Sequence, residues 1–112
     1  MTHYLFVYGT LAPGQPNVNI LENIGGTWQR ATVKGKLIEL GWGAELGYPG
    51  IVLDKDGELI KGFIFSSDSL DKYWSELDDF EGNEYYRVLT NVFIDDGYSI
   101  NAYIYVLKTV NL

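Results

Sequence analysis

The hydrophobic and polar positions of the chain form short alternating segments separated by turn residues, a pattern typical of a sheet built largely from hairpins. Strands are predicted over residues 3–8, 27–40, 51–53, 59–65, 85–94 and 98–107. The second of these segments is interpreted as one strand or two, with a kink or bulge at Gly35. Residues 54–57 and 95–97 supply the glycine-containing turns of two hairpins.

Two other segments carry the period of a helix. Residues 17–24 are predicted to form a short helix, with Asn19 and Glu22 as a capping box and Gly25 at its end. Residues 66–80 are predicted to form a longer helix, which ends at a glycine.

The longer helix, which Asp68 or Ser69 is predicted to cap, has one apolar face. That face consists of Leu70, Tyr73, Trp74 and Leu77. Four residues further on, the same face reaches Glu81, where the helical period calls for an apolar side chain. A carboxylate is therefore expected to face the core, or a cavity in the core, if the helix continues that far.

The predicted order of elements is β-α-β-β-β-α-β-β. Two helices are too few to cover both faces of an open parallel sheet. We therefore predict a single α+β domain over residues 1–112, with a mostly antiparallel sheet that is curled or closed into a small barrel. A chain of this length is sufficient for one hydrophobic core.

Charge and composition exclude several classes of function. The formal net charge is −7, without a cluster of Lys or Arg, which disfavours nucleic acid and anionic membranes as partners. The chain start lacks the features of a signal peptide and no segment approaches the ~18 apolar residues of a membrane span, so a cytoplasmic location is expected. Because cysteine is absent and His3 is the only histidine, Cys-ligated zinc and a His-rich metal site are not expected.

Glu81 is the candidate with a clear chemical use. Burial raises the pKa of a carboxyl group because the charged form loses hydration. The negative end of the helix and the like charges of Asp78, Asp79 and Glu84 are expected to act in the same direction. A carboxyl group tuned in this way suits a general acid/base. The open alternative is a frayed helix end, with Glu81 solvated among other acids.

A second candidate is the turn after the first strand, Tyr8-Gly9-Thr10-Leu11. Glycine allows a ligand to approach the backbone closely, and the N–H groups of such a loop can bind a carboxylate or an oxyanion. The alternative is an ordinary turn between a strand and a loop.

Two further side chains stand beside turns or acids. Tyr48 precedes Pro49 in a glycine-rich loop and is interpreted either as the wall of a pocket or as part of a rigid loop. Arg87 is interpreted either as a partner of a ligand carboxylate or as one half of an ion pair with a helix acid.

Together these segments resemble the motifs of γ-glutamylcyclotransferase-like proteins. The matching motifs are Phe6-Val7-Tyr8-Gly9-Thr10-Leu11 with Gly14 and Asn17, then Tyr48-Pro49, then Leu77-Asp78-Asp79-Phe80-Glu81-Gly82 with Tyr85-Tyr86-Arg87, and last Ala102 and Tyr105. They occur in the family's order and span nearly the whole chain. The Tyr-Gly-Thr-Leu sequence is most similar to the AIG2-like subgroup, which includes γ-glutamylamine cyclotransferases.

The resemblance implies a small mixed β-barrel flanked by helices, in agreement with the strand pattern. It also implies an enzyme that cyclises a γ-glutamyl group to 5-oxoproline, releases an amine and uses no metal or cofactor. Glu81 matches the family's acid/base. Tyr8, Gly9, Thr10 and Leu11 would bind the glutamyl head, with Tyr48 and Arg87 as further substrate contacts.

Two alternatives to catalysis remain at this stage: a non-catalytic binder of a small amino-acid-like ligand on the same scaffold, and a protein-interaction module with an aromatic surface. The sequence does not name the leaving amine. A monomer, or a weak dimer through an edge strand, is expected.

Overall fold

A computed structural model describes residues 2–39, 47, 49–94 and 97–108 of the protein. Six strands and two α-helices follow one another in the predicted order, with one added turn of 3₁₀-helix over Leu70–Lys72. The elements are β1 (His3–Val7), α1 (Val18–Ile24), β2 (Thr27–Ile38), β3 (Gly50–Leu53), β4 (Glu58–Ser67), α2 (Trp74–Glu81), β5 (Tyr85–Ile94) and β6 (Ser99–Leu107).

Five of the strands close into a barrel. The neighbours in the ring are β2, β4, β1, β6 and β5, and β5 returns to β2 where Ala31 lies opposite Ile94. The pairing of β1 with β6 is parallel, with Leu5 opposite Tyr103, and the other pairings are antiparallel. The short strand β3 extends the sheet from the far end of β2 and does not pair with β4. The hairpin predicted around residues 54–57 was therefore wrong, because the long strand β2 pairs with β3 on one edge and with β4 on the other. The predicted mixed, mostly antiparallel barrel flanked by helices is confirmed.

The core has two parts, because successive side chains of a strand point to opposite faces. Phe6 of β1 packs with Ile64 of β4 and Ile104 of β6 inside the barrel. Its neighbour Leu5 packs on the other face, in a cluster that also contains Leu21 of α1 and Leu77 of α2. The two helices therefore cover one outer side of the barrel near β1.

The longer helix begins later than predicted. Ser66 pairs with Tyr4 of β1 and with Thr27 of β2, and these backbone bonds keep residues 66 and 67 in β4. The α-helix starts only at Trp74, and no side chain of Asp68 or Ser69 caps it. The predicted start at residue 66 was wrong, since sheet pairing on both edges outweighs local helix preference.

Two details of the shorter elements also differ from or refine the predictions. Helix α1 begins after Asn17, whose side chain makes no capping hydrogen bond, so the capping box predicted at Asn19 was wrong. Strand β2 is one continuous strand, and Gly35 is paired on both edges, with Leu53 of β3 and Glu58 of β4. Among the described residues, no helix has the length and apolarity that crossing a membrane requires.

Candidate active site

A hollow lies at the end of β1, where the chain leaves the barrel. It is open to solvent, and its cavity volume is about 40 Å³. Its walls include residues 8–11, Pro49, Glu81, Tyr85 and Tyr105. The end of α2 and the loop after β1 are therefore brought together at one place, although some seventy residues separate them in sequence.

Glu81 is the last residue of α2 and its side chain is half-buried in this hollow. Burial raises the pKa of its carboxyl group to about 7, from an ordinary value of 4.5. The contribution expected from Asp78, Asp79 and Glu84 is absent. Asp79 and Glu84 are exposed to solvent, which screens their charge, and Asp78 forms an ion pair with Arg87. Near neutral pH, Glu81 can thus both accept and donate a proton.

Two phenol groups lie within electrostatic reach of Glu81. Burial above all, and the negative charge of Glu81 in addition, raises the pKa of Tyr8. Burial is again the main cause for Tyr105, whose pKa is raised further by its hydrogen bond to Asp78 and by Glu81. Both phenols therefore stay protonated and act as hydrogen-bond donors at neutral pH.

The Tyr8 hydroxyl joins three strands. It donates to the carbonyl oxygen of Tyr105 on β6 at 2.7 Å and accepts from the backbone N–H of Ile51 on β3 at 3.1 Å. Its ring lines the hollow, but its hydroxyl is occupied by the backbone. The substrate contact available from Tyr8 is consequently the ring.

The loop after β1 lines the hollow and has backbone N–H groups without an acceptor among the described residues. The carbonyl groups of Gly9 and Thr10 accept hydrogen bonds from Ala12 at 3.1 Å and Asn17 at 2.8 Å, which fixes the loop. Among the described residues, none accepts a hydrogen bond from the N–H groups of residues 9–11. Three N–H groups on a fixed loop that lines a hollow can bind a carboxylate or stabilise an oxyanion.

Gly9 has the conformational features of a position kept open for a ligand. A Cβ atom placed there would meet no atom within 4 Å, so the fold does not need glycine for lack of space. Its backbone is also outside the left-handed region. Gly9 is one of the residues that line the hollow.

Arg87 lies apart from this constellation, on the other side of Tyr105. Its Nε and Nη2 donate to the two carboxylate oxygens of Asp78 at 3.0 and 3.3 Å, in a neighbouring groove. The ion pair with a helix acid is thus the interpretation that the structure shows. A contact between Arg87 and substrate stays a prediction, and this geometry does not favour it.

Tyr48 lies outside the described residues, and its predicted role as a pocket wall stays a prediction. Its neighbour Pro49 does line the hollow. Within the part of the chain that the structure describes, no three His, Asp or Glu side chains form a group suited to a metal ion.

Asp78, Tyr85 and Tyr105 belong to the matching motifs, but none of the three was predicted to be a catalytic or substrate-binding residue. Tyr105 comes beside the loop after β1 only through the parallel pairing of β1 with β6, in which Phe6 lies opposite Ile104. A parallel pair between distant strands leaves no local signal in the sequence, and alternation along β6 alone gives no partner strand.

Solved structures with the same fold come from bacteria, animals and plants. YkqA of Bacillus subtilis is 28% identical with a TM-score of 0.73, and the match covers 100% of this chain but 38% of YkqA. A protein from Arabidopsis thaliana is 26% identical with a TM-score of 0.73, and the match covers 96% of this chain and 62% of the plant protein. An AIG2-like protein of Mus musculus shares the fold at 23% identity and a TM-score of 0.72, and the match covers 98% of this chain and 80% of the mouse protein.

The chain thus spans well under half the length of YkqA, and about three fifths of the plant protein. No curated protein matches it at a significant level. The family model described as gamma-glutamyl cyclotransferase, AIG2-like, matches residues 5–111, and the chain therefore belongs to that family.

Proposed function

We propose that this protein is a γ-glutamylcyclotransferase, which converts the γ-glutamyl group of a γ-glutamyl amine or peptide to 5-oxoproline and releases the amine. The observation that carries the proposal is the position of Glu81. A carboxyl group with a pKa raised to about 7 shares one hollow with three backbone N–H groups that no described residue uses. Family membership supports the same reaction class.

The proposed reaction begins at the substrate's α-ammonium group, which must lose a proton before its nitrogen can attack the γ-carbonyl carbon. Ionised Glu81 accepts that proton. A new C–N bond closes the five-membered ring, and the carbonyl oxygen becomes an oxyanion. Glu81 returns this proton to the leaving nitrogen and accepts the second proton that the ring nitrogen carries after the attack. The bond to the leaving nitrogen breaks as the oxyanion collapses to the carbonyl, and Glu81 passes the second proton to the released amine. Overall, two protons pass from the α-nitrogen to the leaving nitrogen, and the net charge is unchanged.

The backbone donors of residues 9–11 supply the second part of the proposed mechanism. Preorganised N–H groups stabilise an oxyanion because they need no reorientation as the charge develops. Since the attack is intramolecular, the protein mainly has to select the bent conformer of the substrate. We propose that the walls of the hollow, including Leu11 and the Tyr8 ring, make that selection.

Substitution of Glu81 tests the proposal. We expect Glu81→Gln to lower the release of 5-oxoproline by about 10²–10⁴-fold, because the amide cannot carry a proton. In the parent protein, kcat/KM is expected to rise with pH through about 7, as Glu81 ionises. The assay is a screen of γ-glutamyl amines, γ-glutamyl dipeptides and glutathione, with 5-oxoproline as the measured product.

Glu76→Gln is the matched control, since Glu76 is exposed on the same helix and lies outside the hollow. It should keep the parent activity. Undiminished turnover by Glu81→Gln would remove Glu81 from the mechanism. If no substrate is turned over and a γ-glutamyl compound still raises the melting temperature, the protein is a binder on this scaffold instead.

A further inference from the structure

Asp78 occupies the turn of α2 directly before Glu81. Residues three apart on a helix are neighbours on its surface. The Oδ1 atom of Asp78 accepts a hydrogen bond from the Tyr105 hydroxyl at 2.6 Å and from Arg87 Nε at 3.0 Å. Oδ2 accepts from Arg87 Nη2 at 3.3 Å. One carboxylate therefore ties the last part of α2 to both β5 and β6.

The guanidinium group of Arg87 is held from a second direction. Its central carbon lies 4.4 Å from the centre of the Trp74 ring and 5.0 Å from that of Tyr103. Trp74 is the first residue of α2 and Tyr103 belongs to β6. A planar guanidinium with a two-pronged carboxylate partner and two aromatic faces has few alternative positions. The first residue and the last turn of α2 therefore both contact the guanidinium group of Arg87.

Helix α2 is short, and its start has no side-chain cap. The helix has eight residues, and no basic residue lies in its last turn. Such short helices depend on tertiary contacts, and their ends fray first. Leu77 is buried, whereas Asp79 is exposed. Among the contacts described above, the hydrogen bonds of Asp78 are therefore the polar side-chain contacts of α2 that lie nearest to Glu81 in sequence.

Charge balance around the hollow follows from the same pair. Among the described residues, the charged and titratable groups that line the hollow and the neighbouring groove, apart from Glu81, are Asp78 and Asp79 on α2, Tyr8 after β1, Tyr85, Tyr86 and Arg87 on β5, Tyr105 on β6 and Lys108 after it. Within the pair, the hydrogen bond and the charge of Arg87 lower the pKa of Asp78, so the two groups are oppositely charged.

We infer that the Asp78–Arg87 ion pair, joined to the Tyr105 hydroxyl, is a positioning device that holds the Glu81 carboxyl group in the hollow and keeps the local charge near Glu81 neutral. The part of this inference that concerns turnover rests on the proposed function. The part that concerns the electrostatics of Glu81 does not. Asp78 and Arg87 act through Glu81 and are not assigned a contact with the reacting atoms.

The test compares three variants by kinetics and by carbon-detected NMR titration of the Glu81 carboxyl group. Asp78→Asn leaves Arg87 uncompensated, so the Glu81 pKa should fall by about 0.5. Arg87→Gln leaves the negative charge of Asp78 uncompensated, so the Glu81 pKa should rise by about 0.5. The double variant should return close to the parent value. Each single variant should lower kcat about fivefold to twentyfold with less than a twofold change in KM.

Arg87→Lys separates position from charge. It keeps the positive charge but loses the two-pronged geometry, so the Glu81 pKa should stay near the parent value while kcat stays low. Asp54→Asn is the matched control, because Asp54 forms an ion pair with Lys36 at 3.7 Å outside the residues that line either space. It should change neither quantity.

Opposite shifts in the two single variants support the inference, and they can be measured even if the parent protein turns over no substrate. Turnover that fails in every protein, with the NMR shifts present, would count against the proposed function alone. Two outcomes would show that the ion pair merely stabilises the fold. In the first, both single variants shift the Glu81 pKa in the same direction. In the second, neither variant shifts that pKa, kcat stays at the parent value and only the melting temperature falls.

Discussion

A carboxyl group at the end of an apolar helix face destabilises the folded protein when it ionises. Glu81 is half-buried, and the loss of hydration raises its pKa to about 7. Between pH 4.5 and about 7 the folded protein keeps a proton that the unfolded chain has already lost. By linkage, this site makes the fold less stable as pH rises through that interval, and the deficit is constant above it.

Glu81→Gln should therefore stabilise the fold at alkaline pH while it removes activity. Because the amide has no charge to desolvate, we expect a gain of about 1–3 kcal/mol in the free energy of unfolding at pH 8. The gain should be much smaller at pH 5. Urea unfolding at the two pH values measures it, and Glu76→Gln should change stability by less than about 0.5 kcal/mol at both. An equal effect of Glu81→Gln at both pH values would contradict a raised pKa.

Gly9 offers a second prediction at the residue scale. Because a Cβ atom would meet nothing within 4 Å and φ is not positive, Gly9→Ala should leave the denaturant midpoint unchanged. The added methyl group would stand in the hollow, so KM for a γ-glutamyl substrate should rise about tenfold or more.

Gly62→Ala provides the contrasting control for that substitution. A Cβ atom at Gly62 would collide with the carbonyl oxygen of Val7 and the ring of Phe6, so this variant should lose stability. A loss of stability in Gly9→Ala, with KM unchanged, would mean that the glycine serves the fold and not the ligand.

At the scale of elements, β1, β3 and β6 meet at the Tyr8 hydroxyl. Tyr8→Phe removes one bond to the carbonyl of Tyr105 and leaves the N–H of Ile51, a fully buried residue, without its partner. We expect a loss of about 1–3 kcal/mol in the free energy of unfolding. Hydrogen exchange at the Ile51 amide should also become faster, because β3 is then held to β2 alone.

Tyr4→Phe makes the same chemical change on the same strand. Tyr4 is half-buried, and its hydroxyl makes no hydrogen bond to the described residues, so stability should change little. Equal stability losses in Tyr4→Phe and Tyr8→Phe would show that the hydroxyl of Tyr8 does not join the strands.

The boundary between β4 and α2 shows why local patterns misplace an element. Residues 66–80 carry a helical period, yet Ser66 and Ser67 remain in a strand because β1 and β2 pair with it. The helix that remains, Trp74–Glu81, still ends where the apolar face reaches the carboxylate. The position of Glu81 was thus predictable from the sequence, whereas the start of its helix depends on contacts between distant strands.

At the scale of the whole molecule, the antiparallel pair of β5 and β6 was predictable from one turn, whereas the other predicted hairpin was wrong because β2 lies between β3 and β4. The barrel closure was not predictable. The pairing of β2 with β5, with Ala31 opposite Ile94, joins distant segments that no turn connects. The sequence therefore left open the shape of the hollow, whose walls come from segments that distant pairings bring together. It also left open two interpretations of Arg87, although its partner Asp78 is only 9 residues away.

The parallel pair of β1 and β6 has a consequence for when the hollow can exist. Tyr8 and Tyr105, which both line the hollow and share a hydrogen bond, are 97 residues apart in the chain. Closing a loop of that length is among the costlier entropic steps in a domain of this size. Strand β1 can pair with β4 earlier, but it gains its second neighbour only after the ribosome has synthesised β6. A nascent chain that stops before β6 has the motif residues up to Arg87 but lacks the Tyr105 wall of the hollow.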